Sequence, residues 1–181
     1  MKDLRSLGIK PFGKQRPFPK VSEEAIREFE KAFNVVLPDS YLKLLRFANG
    51  GSLELCEYDD PVTSGIGGIN DFYGVGDRKE NEKAEAMGKW EYGNLWGETM
   101  AFKKYMLAQG GIPFARDGGD NQLFFDYREL SPPCISRFIL SGRTAYRLAE
   151  SFDAFVDMLH AKSSLPKNSA RRIRPYIEKR P

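Results

Sequence analysis

Asp117-Gly118-Gly119-Asp120 lies between two apolar, β-prone runs, Ile112 to Arg116 and Gln122 to Tyr127. No other feature narrows the fold of this chain as much. Glycine accepts the left-handed backbone a tight reversal needs, and aspartate hydrogen-bonds its own turn, so the two runs fold back and pair antiparallel. A second reversal, Ser141-Gly142, separates Cys134 to Leu140 from Arg143 to Leu148. Two hairpins in succession predict an antiparallel sheet.

Helical patterns flank these strands. Ser22 stands as an N-cap with Glu23 and Glu24 in the first turn, where acids favour the helix dipole. Ile26, Phe29 and Phe33 then follow at one-face spacing, and the helix should stop near Asn34. Pro38 or Asp39 opens a second helix lined by Tyr41, Leu42, Leu44, Leu45 and Ala48, which Asn49-Gly50-Gly51 should end in a left-handed cap. Ser52 to Tyr58 reads as a strand. Lys79 to Lys89 reads as an exposed helix, and Thr99 to Gln109 as another that stops at Gly110-Gly111. Ser151 caps a last helix with Phe152, Phe155, Val156 and Leu159 on one face. Helices at the chain ends and hairpins between them predict an α+β fold, a central antiparallel sheet with an N-terminal helix pair and a C-terminal helix packed on it.

Charge divides the 181 residues into three parts. Residues 1–20 hold six bases and one acid, with Pro11, Gly13, Pro17 and Pro19 among them. Residues 162–181 hold seven bases and one acid, including Arg171, Arg172, Arg174, Lys179 and Arg180. The body, 21–161, is left with 15 bases and 23 acids, a net −8 within a chain of net charge +3. The expected organisation is an acidic α+β domain over 21–161 between a basic extended arm and a basic tail. An acidic body repels phosphate, so only the arms could take nucleic acid. The most apolar stretches are too short for a membrane span, the first residues do not form a signal sequence, and two cysteines suit a reducing compartment. A cytoplasmic protein is expected.

Catalytic and metal chemistry find no home in the pattern. His160 is the only histidine and reads as a cation at the end of the last helix; Cys56 and Cys134 both fall in strand patterns. One histidine and two distant cysteines cannot supply a usual zinc set, so no metal is expected. Gly65-Ile66-Gly67-Gly68 has Asn70 where a dinucleotide loop needs its third glycine, and it reads as a Gly-rich turn. No cofactor and no catalytic residue is expected. What remains is a set of acids, Glu54, Glu57, Asp59 and Asp60, with no base between them, and Asp117 and Asp120 in the hairpin turn. These are the candidate contacts to a basic partner.

Three segments carry a family resemblance. The first is Ile26-Arg27-Glu28-Phe29-Glu30-Lys31-Ala32-Phe33, followed by Leu37-Pro38-Asp39-Ser40-Tyr41 and by Leu44-Leu45-Arg46-Phe47-Ala48-Asn49-Gly50-Gly51. The second is Ile112-Pro113-Phe114-Ala115 leading into the Asp117 turn and Phe124-Phe125-Asp126. The third is Ala149-Glu150-Ser151-Phe152-Asp153-Ala154-Phe155. Together they resemble the SUKH superfamily over roughly residues 21–160, with 59–98 and both arms outside any stated pattern. The resemblance implies an α+β domain that works by binding protein. Many bacterial members are immunity proteins that block a cognate polymorphic toxin, often a nuclease; fungal members are regulatory interaction domains. It carries over no active site. Leu37, Pro38, Tyr41, Asn49, Gly50, Gly51, Ser151 and Phe152 are implied to be structural. A toxin-neutralising immunity protein is the leading expectation, with a regulatory scaffold domain and a nucleic-acid adaptor acting through the arms as alternatives.

Overall fold

The computed structural model describes residues 2–10, 20–87, 93–106, 110–128 and 132–162. Residues 1 and 11–19 of the N-terminal arm, with Pro11, Gly13, Pro17 and Pro19, and nearly all of the tail, with the arginines from Arg171 onward, lie outside the described residues, as do Lys89, Trp90, Tyr92 and Gln109. After a 3-10 turn at Leu4–Leu7 come α1 (Glu23–Phe33), α2 (Asp39–Phe47), β1 (Glu57–Asp59), β2 (Ile66–Gly68), β3 (Asp71–Phe72), α3 (Arg78–Ala86) and α4 (Leu95–Ala101). Then follow a π-helical turn at Phe102–Met106, β4 (Gly111–Arg116), β5 (Gln122–Asp126), β6 (Cys134–Ile139), β7 (Thr144–Ala149) and α5 (Phe152–Met158).

The α+β expectation holds. Strands β3 to β7 form one antiparallel sheet in chain order, and β1 and β2 form a separate antiparallel pair. Period-two alternation gives the large sheet two faces. Ile112, Phe114, Leu123, Phe125, Ile135 and Leu148 face the main core, with Phe29 and Tyr41 from the helix pair and Phe152, Phe155 and Val156 from α5. The other face buries Phe124 and Phe138 beneath Phe102 of the π-helical turn, with ring centroids 5.1 and 5.7 Å from it.

The helix signals read from the sequence act as expected at three ends. The Ser22 hydroxyl accepts from the Ala25 amide at 3.1 Å, and the Ser151 hydroxyl from the Ala154 amide at 3.1 Å. Asn34 ends α1 at φ 53°. The end of α2 differs. Its cap, Ala48, is extended, and the left-handed residues are Gly50 (φ 85°) and Gly51 (φ 139°). Asn49 instead accepts from the Val75 amide at 2.8 Å and donates to the Val75 carbonyl at 2.9 Å, so it ties α2 to the segment after β3.

Several other expectations are corrected. The strand at Ser52 to Tyr58 is confined to Glu57–Asp59, and Cys56 falls outside it. Gly65 to Gly68 is no turn, because Ile66–Gly68 is β2 paired with β1. The predicted Thr99 helix begins earlier, at Leu95, where Asn94 caps it, and it turns π-helical at Phe102. His160 lies beyond α5 and forms a β-bridge with Glu57.

The motif residues make contacts inside the fold. The Leu37 amide donates to the Glu30 carboxylate at 2.8 Å. Pro38 precedes α2 with φ −58°, where its missing N–H costs nothing. Tyr41 is fully buried, donates to the Tyr73 carbonyl at 3.1 Å, and meets Phe125 and Phe152 edge-on at 4.9 and 5.3 Å. Gly51 exchanges two backbone hydrogen bonds with Phe72.

Candidate functional site

Antiparallel order brings two turns of the large sheet to the same end, the β4–β5 turn at 117–121 and the β6–β7 turn at 140–143. The tip of the β1–β2 hairpin, 60–65, joins them there, because Asp60 reaches under it into β6 and β7. The three loops are linked through one side chain, Arg137. It occupies an inward-facing position of β6, directly between Leu123 on β5 and Tyr146 on β7.

Asp60 uses its two oxygens differently. Oδ1 accepts from the amides of Val62 (2.9 Å) and Thr63 (3.2 Å), which shapes the hairpin tip. Oδ2 accepts from Arg137 Nη1 (3.0 Å) and from the Tyr146 hydroxyl (2.6 Å). Asp117 repeats the arrangement. Its Oδ1 accepts from the amides of Gly119 (2.8 Å) and Asn121 (3.0 Å), while Oδ2 accepts from Asn121 Nδ2 (2.9 Å) and from Arg137 Nη2. Asn121 Oδ1 then accepts from the Leu140 amide at 2.9 Å, which fastens the third loop. A continuous hydrogen-bond path therefore runs from Val62 through Asp60, Arg137, Asp117 and Asn121 to Leu140.

Burial and charge set the protonation states. Desolvation pushes the Asp60 carboxyl up, but the Tyr146 hydroxyl and the Val62 and Thr63 amides outweigh it and hold the group below the usual aspartate range. Burial opposes ionisation of Asp117 as well, and is overcome by hydrogen bonds from Asn121 and Arg137. Burial favours a neutral Arg137, yet Tyr58, Asp117 and Tyr146 raise its affinity for the proton. Both aspartates are ionised and the guanidinium is charged at neutral pH, leaving one net negative charge in the cluster.

The acids named from the sequence therefore separate. Asp60 and Asp117, with residue exposures of 2% and 4%, are spent on Arg137 and their own loops, so the acidic edge read from the sequence is buried at Asp60 and the hairpin-turn acid Asp117 is buried as well. Asp59 and Asp120 stay outside, with side-chain exposures of 92% and 70%. Asp120 pairs with Arg116 at 2.9 Å. Glu57 is half-buried beside the His160 bridge. Glu54 sits apart with Lys10 at 3.1 Å, over the N-terminal 3-10 turn. Sequence reading passed over Arg137, although a charged residue two places after Ile135 on a strand is a signal that something opposite neutralises it.

The other face of the sheet holds a polar cleft of about 170 Å3 lined by Asp126, Arg128, Cys134, Ser136, Ala145, Tyr146 and Arg147. Its carboxylate is already engaged, since Arg128 grips Asp126 through Nε and Nη2 at 2.8 and 2.6 Å and the Ser136 hydroxyl donates to it at 3.2 Å. Among the described residues no group of three or more acids, histidines and cysteines is placed to hold a metal ion, and no helix is long and apolar enough to cross a membrane.

The model of the SMI1 / KNR4 family (SUKH-1) matches residues 20–158, well over half of the chain. The chain belongs to the SMI1 / KNR4 family. The match begins at the residue before Val21 and ends with α5, so the family domain coincides with the helix pair, both sheets and α5, and the basic arms fall outside it. Within this SMI1 / KNR4 domain, the Arg137-linked loops belong to the matched region throughout. No curated protein matches the chain.

Proposed function

We propose that this chain is an immunity protein that binds and neutralises a cognate polymorphic toxin in the cytoplasm, without catalysis of its own. Membership of the SMI1 / KNR4 family carries the reading. The acidic body, net −8 over residues 21–161, supports a cationic target such as a nuclease, because complementary charge raises association rate and rejects wrong partners. Glu54, Glu57, Asp59 and Asp120, the acids not spent on Arg137, are the proposed contacts. A reducing compartment agrees with free Cys56 and Cys134.

The test is co-expression with the toxin encoded beside this gene. The expected outcome is restored growth and a purified complex of submicromolar Kd. Growth that stays arrested, with no complex by calorimetry, would sink the reading. Recovery of several host regulators and no toxin in a pull-down would move the chain to the regulatory scaffold type. A gel shift of RNA or DNA that disappears with residues 162–181 would favour the adaptor acting through the arms.

A further inference from the structure

The Arg137 cluster is hard to explain as a device for stability alone. A buried ion pair roughly breaks even against apolar residues of the same volume, because desolvation cancels much of the attraction. The position is inward on a strand whose neighbours across the sheet are Leu123 and Tyr146, and an aliphatic side chain there would extend the core. Nor do the two turns need the guanidinium to form, since Asp60 and Asp117 each devote one oxygen to amides of their own loop. What Arg137 adds is the position of one loop relative to the other. Its planar fork reaches both carboxylates at once, which a lysine ammonium cannot match with the same geometry.

The outward side of these loops has the character of a contact surface. Val62 and Ile66 project from the hairpin and Leu140 from the β6–β7 turn; they are three of the seven large apolar side chains exposed among the described residues. Around them stand Asp59 beside Ile66 across the β1–β2 ladder and Asp120 in the β4–β5 turn. At this end, Asp59, Asp60, Asp71, Asp117 and Asp120 oppose Arg116, Arg137 and Arg143, so negative charge is in excess. Apolar side chains beside exposed acids, on fixed loops with an excess of negative charge, suit a partner that brings an apolar anchor surrounded by lysines and arginines.

We propose that this three-loop end, with Asp59, Val62, Ile66, Asp120 and Leu140 outward, seats a cationic protein partner, and that Arg137 is the positioning residue that sets the loops before the partner arrives. Loops already in their bound arrangement spare the ordering cost of association. The proposal rests on the immunity reading and names the face that does the binding.

The test uses the full chain and the toxin domain encoded beside its gene as probe. Asp59→Lys and Ile66→Ala should each weaken the complex about tenfold or more, with Asp59→Lys acting through a slower, less salt-sensitive association. Glu150→Lys and Val36→Ala, exposed substitutions toward the opposite end of the sheet, should leave Kd unchanged. Arg137→Lys should speed hydrogen exchange at the Val62, Thr63, Gly119 and Asn121 amides, leave the α1 and α5 amides protected, and weaken the complex. Protected helices separate lost positioning from general unfolding.

If the parent chain does not bind the toxin, the immunity reading itself falls. If the parent binds and the Asp59 and Ile66 variants bind equally well, the reading stands and this face is wrong. If Arg137→Lys loosens the loops without changing Kd, its positioning role is wrong. A concentration-dependent dimer that Ile66→Ala abolishes would give the face to a second copy of the chain and overturn the proposal.

Discussion

Gly67 is placed by what surrounds it. A Cβ built there would lie 2.3 Å from Cζ of Tyr58, a fully buried ring that meets Phe155 edge-on at 5.5 Å. The β1–β2 hairpin can lie over that ring only because residue 67 has no side chain. Gly67→Ala should therefore destabilise the protein by about 1–3 kcal/mol through overpacking, as read by the urea midpoint. Gly65→Ala, whose Cβ would meet only the Thr63 hydroxyl at 3.4 Å, should change it little. At Arg137 the sign comes from charge rather than volume. Arg137→Met leaves two carboxylates buried without their cation and should cost about 3–5 kcal/mol in equilibrium unfolding. Adding Asp60→Asn and Asp117→Asn to that variant should recover part of the loss, because the stranded charges go with the residues that carried them. A triple variant no more stable than Arg137→Met would show that the cost lies in packing.

At the scale of elements, what could be read from the sequence follows from how much of each signal is local. The strands β4 to β7 were legible because turn chemistry and apolar runs agree over ten or more residues at each hairpin. The caps at Ser22 and Ser151 were legible because an N-cap is satisfied by an amide three residues on. Ser22→Ala and Ser151→Ala should each cost about 0.5–2 kcal/mol in thermal or urea unfolding. A loss confined to one of them would mean that packing, and not the hydroxyl, holds the other helix end. The β1–β2 pair was not legible. Its strands are three residues long, one of them is Ile-Gly-Gly, and alternation cannot be read from glycine; the pair is held by Tyr58 and Asp60, contacts distant in sequence. The start of α4 was missed for a related reason. Asn94 caps it, but the preceding glycine- and charge-rich stretch hides where the helical period begins.

Across the whole molecule, net charge was legible and its placement was not. Counting acids selects Asp60 and Asp117 as readily as Asp59 and Asp120, because solvent exposure depends on which loop folds over which strand. The buried acids leave a mark in how they titrate. Asp60, Asp117 and Asp126 all titrate below the ordinary aspartate range; burial opposes this in each and is outweighed by hydrogen bonds, from Tyr146 and loop amides at Asp60, from Asn121 and Arg137 at Asp117, and from Arg128 at Asp126. In the unfolded chain the same groups take protons near pH ~3.9. Between the folded and unfolded values the unfolded chain binds more protons, so stability falls as pH falls. These contributions are complete above the unfolded pKa and vanish once pH drops below the folded values. Stability should therefore change little from pH 7 to about 5 on their account and decline steeply below about 4. Asp117→Asn should be less stable than the parent at pH 7, and the gap should close in acid, where the parent carboxyl is protonated as well. Urea midpoints at pH 7 and pH 3 check this directly: a gap of equal size at both would mean that Asp117 contributes through its shape and not through its charge, and that the guanidinium of Arg137 gains nothing from facing it.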